Sequence, residues 1–395
     1  MNSETALAHF IQEAVPRERS EMLAAIGQDW DEAKKDWVQE FVADFRQWCK
    51  VIREQQIAGK KGAIGFITYS MLRTDIAQGR SSYLVQATDS SWLFDASPVE
   101  GHYDSLWAYR YLDLLADRLK LASREYKGAV HSAHLERIRL REAVHIHRVV
   151  VSLIRLAMLE ASQSSEFQAV EKAEVFEIRV GEYWDHSECV FRLDLRKRDA
   201  EEVRSWLQEK NEEDYAYEAF HAMDLSEGDW EGIDLRYSVF RDCCLSNSCF
   251  LDGILIGTLW QDCRLEGANF AYSLISGANY SGCSMPLAVF RGVQGKRGLL
   301  VFDGFPPIFE AVQFAKANLT GADFTRANLP GAVFTGATLK KAVFRGANLK
   351  GARFDKADLT GADFQDADIT GVDWKDAHWG EEDHRILSRE MEGHP

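Results

Sequence analysis

The chain has 395 residues, of which 46% are hydrophobic, so it is long enough for two or three domains with large cores. Its formal net charge of −16 argues against a general nucleic-acid-binding protein, because such proteins are basic. Its seven cysteines form no compact disulfide framework, and the N-terminus has no basic segment followed by an apolar one. We therefore expect a cytoplasmic protein without a signal peptide or membrane span, while secretion by a signal-independent route stays open.

Residues 1–222 contain no repeat and are predicted to form an α+β domain rich in long helices. The segment from residue 20 to residue 56 has aromatic residues at helical spacing, which we interpret as a buried stripe. These residues are Trp37, Phe41, Phe45 and Trp48. A second helical pattern extends over 105–162, and AEEVRSWLQEKNEED predicts a shorter helix further on.

Strands are predicted between these helical segments. GFITYSML reads as one strand, and SSYLVQATDSSWLFDA reads as a strand split by the turn signal TDSS. EVFEIRV and CVFRLDLRKRD predict a strand pair. Strands and long helices together favour an α+β domain rather than a helical bundle.

Titratable residues of this half form no recognised site. Glu142 and His145 make one Glu-x-x-His step, whereas di-iron bundles need two such steps and two further glutamates. No spacing links this step with Asp89 or His102. We therefore predict no catalytic residue, no metal and no cofactor, and an enzyme with an unrecognised site in 1–222 stays an alternative.

The C-terminal half has a large apolar residue at every fifth position. An α-helix would carry such residues around its whole surface, and a flat strand would place them on alternate faces. Some other backbone must therefore set this period, and an alanine usually lies two residues before each centre. The predicted core centres are Phe314, Leu319, Phe324, Leu329, Phe334, Leu339, Phe344, Leu349, Phe354, Leu359 and Phe364, and the register continues to Trp379.

An earlier block, from Leu225 to Phe290, follows the same rule with more variation. Cys243, Cys263 and Cys283 are twenty residues apart, each at the small position of its pentad. We interpret them as a structural ladder, because buried thiols behave as small apolar groups.

The pattern A-(D/N)-(L/F)-x-x, which covers about residues 223–379, resembles the pentapeptide-repeat family. The resemblance implies an all-β right-handed quadrilateral β-helix, with five residues on each side and twenty in each coil. We expect one block at 223–290, a second at 314–379 and a C-terminal capping helix at 380–395. Such a rod is filled by its own side chains.

The register is interrupted between the two blocks. Residues 291–313 are predicted to form an insertion, either a loop or a short helix. Long loops on rigid scaffolds often carry binding residues, so the insertion is a candidate partner-binding element. Its candidate residues are Arg291, Lys296, Arg297, Phe302 and Phe305.

The first functional hypothesis is a non-enzymatic adaptor or scaffold, either alone or within a larger assembly or effector system, that binds protein partners through the rod and the N-terminal domain. A homodimer is a further expectation, and neither direct nucleic-acid binding nor membrane binding is expected. The alternative is a DNA-mimicking binder or protector of a type II topoisomerase such as gyrase, an activity of similar families. The second block has eight acidic and nine basic residues, so it lacks the negative charge that this mimicry requires.

Overall fold

The structure is a computed structural model that describes residues 2–211, 215–298 and 307–380. The chain divides into two compact units. The first extends to Leu195 and the second begins at Arg196. We describe each unit by itself.

The first unit contains three long helices, which follow from the apolar stripes of the sequence. Phe41 and Phe45 are fully buried on the longest helix, and their ring centroids lie 6.0 Å apart. The aromatic stripe therefore faces the core, as helical spacing predicts. The helices are α1 (Ser3–His9), α2 (Val15–Ile57), α3 (Arg73–Ala77), α4 (Leu106–Ala122), α5 (Ser132–Ala161) and α6 (Ser165–Ala169), with a π-helical segment at Phe10–Ala14 and 3-10 turns at Trp92–Phe94 and Ser123–Tyr126.

A five-stranded sheet with the order β3-β2-β1-β4-β5 completes the unit. Its strands are β1 (Ile64–Met71), β2 (Ser82–Thr88), β3 (Val99–Asp104), β4 (Lys172–Glu182) and β5 (Ser187–Asp194). β1 and β4 are parallel, and the other neighbouring strands are antiparallel. Tyr69 of β1 is buried and meets Phe41 of α2 at 5.6 Å, so the helices cover this face. Thr68 and Gln86 on the opposite face are only partly buried.

One part of the strand prediction is wrong. The residues after TDSS form the 3-10 turn Trp92–Phe94, and the next strand begins at Val99. The physical reason is the carboxylate of Asp95, which accepts hydrogen bonds from the N–H groups of Asp89 at 2.8 Å and Ser97 at 2.9 Å. These contacts close a compact loop. The strands predicted from GFITYSML, EVFEIRV and CVFRLDLRKRD are confirmed as β1, β4 and β5.

The second unit is a β-helix solenoid, which we call the rod. Parallel bridges join residues twenty apart in consecutive coils and recur at every fifth residue, as at Asp224 with Cys244 and Asp229 with Cys249. The short strands β6 (Ala219–His221), β7 (Val239–Arg241) and β8 (Leu259–Gln261) continue this ladder. Helix α7 (Ala200–Gln208) precedes the strands, and its residue Leu207 belongs to the same buried core.

The chain turns two residues after each inward centre, where the backbone is often left-handed. Glycine and longer side chains share these corners. Tyr237 lies over Gly257, whose φ is 64°, and a Cβ at Gly257 would lie 2.4 Å from the tyrosine ring. The polar residue before a centre closes the turn, as Asp363 does by accepting the N–H of Gln365 at 3.0 Å.

The interruption after Phe290 is an insertion within one coil. Bridge partners there are thirty-four residues apart, as at Asn279 with Gln313, whereas they are twenty apart elsewhere, so the coil holds fourteen extra residues. The column of rings continues across it, because Phe290 and Phe324 stack at 5.0 Å. The insertion therefore leaves the core register intact.

The domain limits drawn from the sequence stay predictions. Strand β6 pairs with β7 and so belongs to the rod, although it precedes the predicted start at residue 223. The insertion is described only up to Gly298 and again from Pro307. The capping helix predicted at 380–395 lies outside the described residues, of which Gly380 is the last.

Candidate protein-binding surfaces

Stacked side chains fill the interior of the rod. Phe324, Phe344 and Phe364 form one column with ring centroids 4.8 Å apart, and Phe334 meets Phe344 edge to face at 5.7 Å. Every predicted core centre from Phe314 to Phe364 is buried. The rod therefore offers its outer surface for binding.

The cysteine ladder lies within this interior. Cys243, Cys263 and Cys283 are each 1% exposed. The Cys243 thiol donates a hydrogen bond to the carbonyl of Arg241 at 3.3 Å. Its hydrogen bond to Cys263, together with burial, raises the pKa of Cys243 far above its ordinary value. Such a thiol stays protonated and acts as a packing group.

The predicted partner-binding residues of the insertion divide into two groups. Arg291 makes an ion pair with Asp323 of the adjacent coil, with 2.7 Å between Nη2 and Oδ2. Lys296 and Arg297 are exposed. Phe302 and Phe305 lie outside the described residues. Their joint role in partner binding stays a prediction.

The first unit has a groove on the open face of its sheet. Neighbouring strands supply its floor: Thr68 from β1, Gln86 from β2 and Arg179 from β4. Two connections supply its walls, namely the loop that contains Trp92 and the β4–β5 turn that contains Trp184. We call this feature the N-terminal groove.

The walls of the N-terminal groove are aromatic and partly exposed. Trp92 stacks on Phe66 with 4.9 Å between ring centroids, and the Arg179 guanidinium lies 5.3 Å from the Trp92 ring. Trp184 is 72% exposed. Phe94, the last residue of the 3-10 turn that begins at Trp92, is 90% exposed. Large apolar groups at this exposure mark interaction surfaces when they cluster.

The loop that carries Trp92 is fixed by a buried ion pair between Lys61 and Asp95. Both side chains are 3% exposed. Lys61 also donates a hydrogen bond to the carbonyl of Ser97 at 3.0 Å. Although burial opposes the charged form, Lys61 and two backbone N–H groups lower the pKa of Asp95. The Trp92 wall is therefore held in place before any partner arrives.

Two charged residues of the N-terminal groove, Arg179 and Glu182, form ion pairs with residues outside it. Arg179 pairs with Glu177 at 2.6 Å and donates to the carbonyl of Ser187 at 2.7 Å. Glu182 pairs with Arg73 at 2.6 Å. The cavity measures about 180 Å³, which is smaller than the roughly 300–1,000 Å³ of typical small-molecule sites. It suits an inserted side chain better than a whole cofactor.

The candidate catalytic residues have structural contacts of their own. Glu142 is buried and accepts two hydrogen bonds from Arg19, at 2.5 and 2.7 Å. His145 lies 3.7 Å from the same carboxylate, and burial lowers the pKa of His145. Asp89 accepts the N–H of Ser91 at 2.8 Å. Within 2–211, 215–298 and 307–380, no group of three or more His, Cys, Asp or Glu side chains could hold a metal ion.

Sequence reasoning missed the N-terminal groove. The strand predicted from SSYLVQATDSSWLFDA includes Trp92 and Phe94, and Trp184 lies in a connection for which the sequence predicts no element. The available signal was the position of large aromatic residues beside turn-forming residues, in DSSWLFDA and GEYWDHS. Aromatic residues in such turns are often exposed and available for binding.

Among the helices of the described residues, none is long and apolar enough to cross a membrane. The cytoplasmic location expected from the sequence stays a prediction.

Comparisons with known proteins identify part of the chain. Residues 307–381 match the family described as "Pentapeptide repeat region". This segment is a pentapeptide-repeat region. The N-terminal half matches no family, and no curated protein matches the chain.

Three solved pentapeptide-repeat structures are similar to the chain at low identity. QnrB1, a plasmid-mediated fluoroquinolone resistance protein, is 21% identical over 46% of this chain and 92% of its own, with a TM-score of 0.31. HetL, involved in heterocyst differentiation regulation in the cyanobacterium Nostoc sp., is 21% identical over 46% and 97%, with a TM-score of 0.20. A protein of the Arabidopsis thaliana thylakoid lumen is 22% identical over 30% and 70%, with a TM-score of 0.21.

Several acidic residues of the pentapeptide repeats are neutralised within the rod. Asp363 pairs with Arg345 at 2.5 Å, and Asp358 lies 3.3 Å from the Lys340 ammonium. Asp323 pairs with Arg291 in the same way. Basic residues therefore interrupt the negative charge of the second block.

Proposed function

We propose that this protein is a non-enzymatic adaptor, which binds a protein partner through the N-terminal groove and uses the pentapeptide-repeat rod as a stiff scaffold. The observation that carries the proposal is the exposed Trp184 in one wall of a preformed cavity, with the exposed Phe94 in the same 3-10 turn as Trp92 of the other wall. Aromatic residues in a prearranged site are typical anchors of protein interfaces. The partner would insert an apolar side chain between the walls.

The scaffold role rests on the form of the rod. The right-handed quadrilateral β-helix implied by the repeat belongs to this proposal, and four bridge positions in each twenty-residue coil support it. Each coil packs only on its neighbours, and its interior is filled by side chains. The outer surface of such a rod keeps a constant geometry on which partners can assemble.

Capture of partners from the native cell tests the proposal. The full chain and the variant Phe94→Ser/Trp184→Ser would be purified with quantification of the associated proteins. We expect the variant to lose the partner that the unchanged chain enriches, because both exposed anchors are removed.

Leu121→Ser is the matched control, since Leu121 is 61% exposed on α4 and does not line the groove. It should retain the partner. Equal capture by all three proteins would show that the N-terminal groove is not the binding site.

The DNA-mimicking topoisomerase binder is the weaker alternative. It needs a continuous negative surface, whereas Arg345, Arg291 and Lys340 neutralise carboxylates of the second block. A gyrase supercoiling assay with and without the full chain tests it. An effect at stoichiometric amounts of protein would favour this alternative over the adaptor.

A further inference from the structure

One side of the rod separates its charges by sign along the rod. We call it the charged face. It consists of a column of bridged residues and of the corner residues along both edges of that column. The bridged residues are Asp224, Cys244, Arg264, Ser284, Asn318, Thr338, Asp358 and His378.

The first half of the charged face is acidic and the second half is basic. The acidic half has five exposed acids against one arginine, Arg264. The basic half has four exposed lysines against two acids, Asp358 and, in the last described coil, Asp376. The acids are Asp224, Glu227, Asp242, Asp262 and Glu266, and the lysines are Lys316, Lys340, Lys341 and Lys356.

Several of these charges are available to a partner. In the part of the rod that the structure describes, Asp262, Glu266 and Lys341 make no ion pair. The neighbouring side of the rod differs, because Arg291 pairs with Asp323 there at 2.7 Å. The separation of acidic residues from basic residues is therefore a property of the charged face and not of the repeat itself.

An exposed apolar residue lies where the sign changes. Leu287 is 61% exposed at the edge of the charged face and follows Pro286. Three coils of this face, centred on Leu225, Leu245 and Leu265, precede its coil. Of the four described coils that follow, the first three carry the lysines. A single exposed leucine is ordinary on a protein surface. Because Leu287 lies between the acidic half and the basic half, it can form the apolar centre of an interface that has a charged rim.

Such a surface is complementary to itself when one copy is turned end for end. A two-fold axis near Leu287 brings the acidic half of each copy against the basic half of the other, and the two leucines meet at the axis. A parallel arrangement would oppose like charges. The two-fold arrangement uses the same surface on both copies, so it closes at two.

We infer that the charged face is an interface between two antiparallel copies of this chain. Opposite charges at its two halves fix the orientation and accelerate association. Leu287 supplies the apolar contact at the centre. These residues are distinct from those of the N-terminal groove, so self-association and partner capture can be measured separately.

Sedimentation velocity of the full chain tests the inference. We expect a dimer at about 50 mM NaCl that weakens as salt rises, because the charged rims are screened. Lys340→Glu/Lys341→Glu makes both halves acidic and should weaken the dimer at least about tenfold. Glu is compatible with the left-handed corner at Lys341, since Glu227 occupies the equivalent corner with a φ of 60°.

A second variant makes the test specific. Glu227→Lys/Asp262→Lys/Glu266→Lys leaves two acids against four bases, so it turns the acidic half basic and should also be monomeric. Lysine is compatible with the left-handed corner at Asp262, since Lys316 occupies the equivalent corner with a φ of 59°. Mixing the two variants should restore a dimer, because each altered half then meets a half of opposite charge. Lys350→Glu/Lys375→Glu is the matched control for Lys340→Glu/Lys341→Glu: it changes the net charge by the same amount at exposed sites outside the charged face and should leave the dimer unchanged.

Three results would overturn the inference. The first is a full chain that stays monomeric at low salt up to about 100 μM, a concentration above the dissociation constant of an ordinary specific dimer. The second is a dimer that both charge-reversal variants retain. The third is a pair of monomeric variants that do not associate when mixed.

Discussion

At the scale of the residue, the first unit contains a buried histidine that the sequence does not distinguish from a surface one. His147 lies on α5, and its Nδ1 is 2.8 Å from the hydroxyl of Tyr83, which in turn is 3.3 Å from that of Tyr109. Burial lowers the pKa of His147 to about 4. The folded chain therefore keeps this imidazole neutral at a pH where the unfolded chain would protonate it.

We predict that the first unit loses stability as the pH falls from about 6.5 to about 4. The unfolded state binds a proton at His147 in this window and the folded state does not, so unfolding is favoured by about 3 kcal/mol at the low end. Urea unfolding followed by the helical circular dichroism signal measures it. His147→Gln should flatten the pH dependence, and His102→Gln, at an exposed site, should not. An unchanged slope in His147→Gln would refute the assignment.

Single residues also determine the corners of the rod. Gly257 has a φ of 64°, and a Cβ there would meet the Tyr237 ring at 2.4 Å. Gly351 has a φ of 67° with open space around it. A comparison of the two glycines therefore distinguishes the cost of a side chain on a left-handed backbone from the cost of a clash with a neighbouring ring.

We predict that Gly257→Ala destabilises the rod more than Gly351→Ala. Both alanines strain a left-handed backbone by about 1 kcal/mol, and only the first also displaces a packed ring, for a total of about 2–4 kcal/mol. Thermal unfolding of both variants measures the difference. Equal losses would mean that Tyr237 moves aside without resistance.

At the scale of the element, the Trp92 loop depends on the buried ion pair between Lys61 and Asp95. Lys61 immediately precedes β1, and Asp95 lies in the connection between β2 and β3. No local sequence pattern predicts this contact, because it joins residues thirty-four positions apart. Sequence reasoning therefore found the strands and not the loop between them.

We predict that Lys61→Met destabilises the first unit by about 3–5 kcal/mol, because it leaves the Asp95 carboxylate buried without a counter-ion. Lys61→Met/Asp95→Asn should recover part of the loss, because it removes both charges and keeps a side-chain oxygen that accepts one of the N–H groups of Asp89 and Ser97. Denaturant unfolding of the wild type and the variants provides the comparison. A double variant less stable than Lys61→Met would contradict this explanation.

An element can be predicted from the sequence when its contacts recur in a local pattern, and it cannot when they join residues far apart in the chain. Phe344 faces the core as its position in the repeat predicts, because every pentad meets the same environment and the signal recurs many times. The N-terminal groove instead needs β1 beside β4, a pairing across more than a hundred residues, as between Thr68 and Arg179. Only that pairing brings Trp92 and Trp184 to one cavity.

At the scale of the whole molecule, the two units differ in the surfaces that they offer to a partner. The rod is filled and stiff, and its repeat fixes the positions of its surface charges. The first unit carries the cavity and the exposed aromatic residues. The sequence predicts a binding protein, because the repeat indicates a rod that is filled by its own side chains. It does not predict the N-terminal groove proposed as the binding site, because that groove depends on the pairing of distant strands.

Hydrogen exchange of the full chain, with and without its captured partner, tests the central claim most directly. The account predicts new protection in the loop at 89–97 and in the turn at 183–186, because the partner covers both walls of the N-terminal groove. Exchange of the buried pentapeptide-repeat ladder should not change. Protection confined to 307–380, with both walls exchanging as in the free protein, would contradict the account.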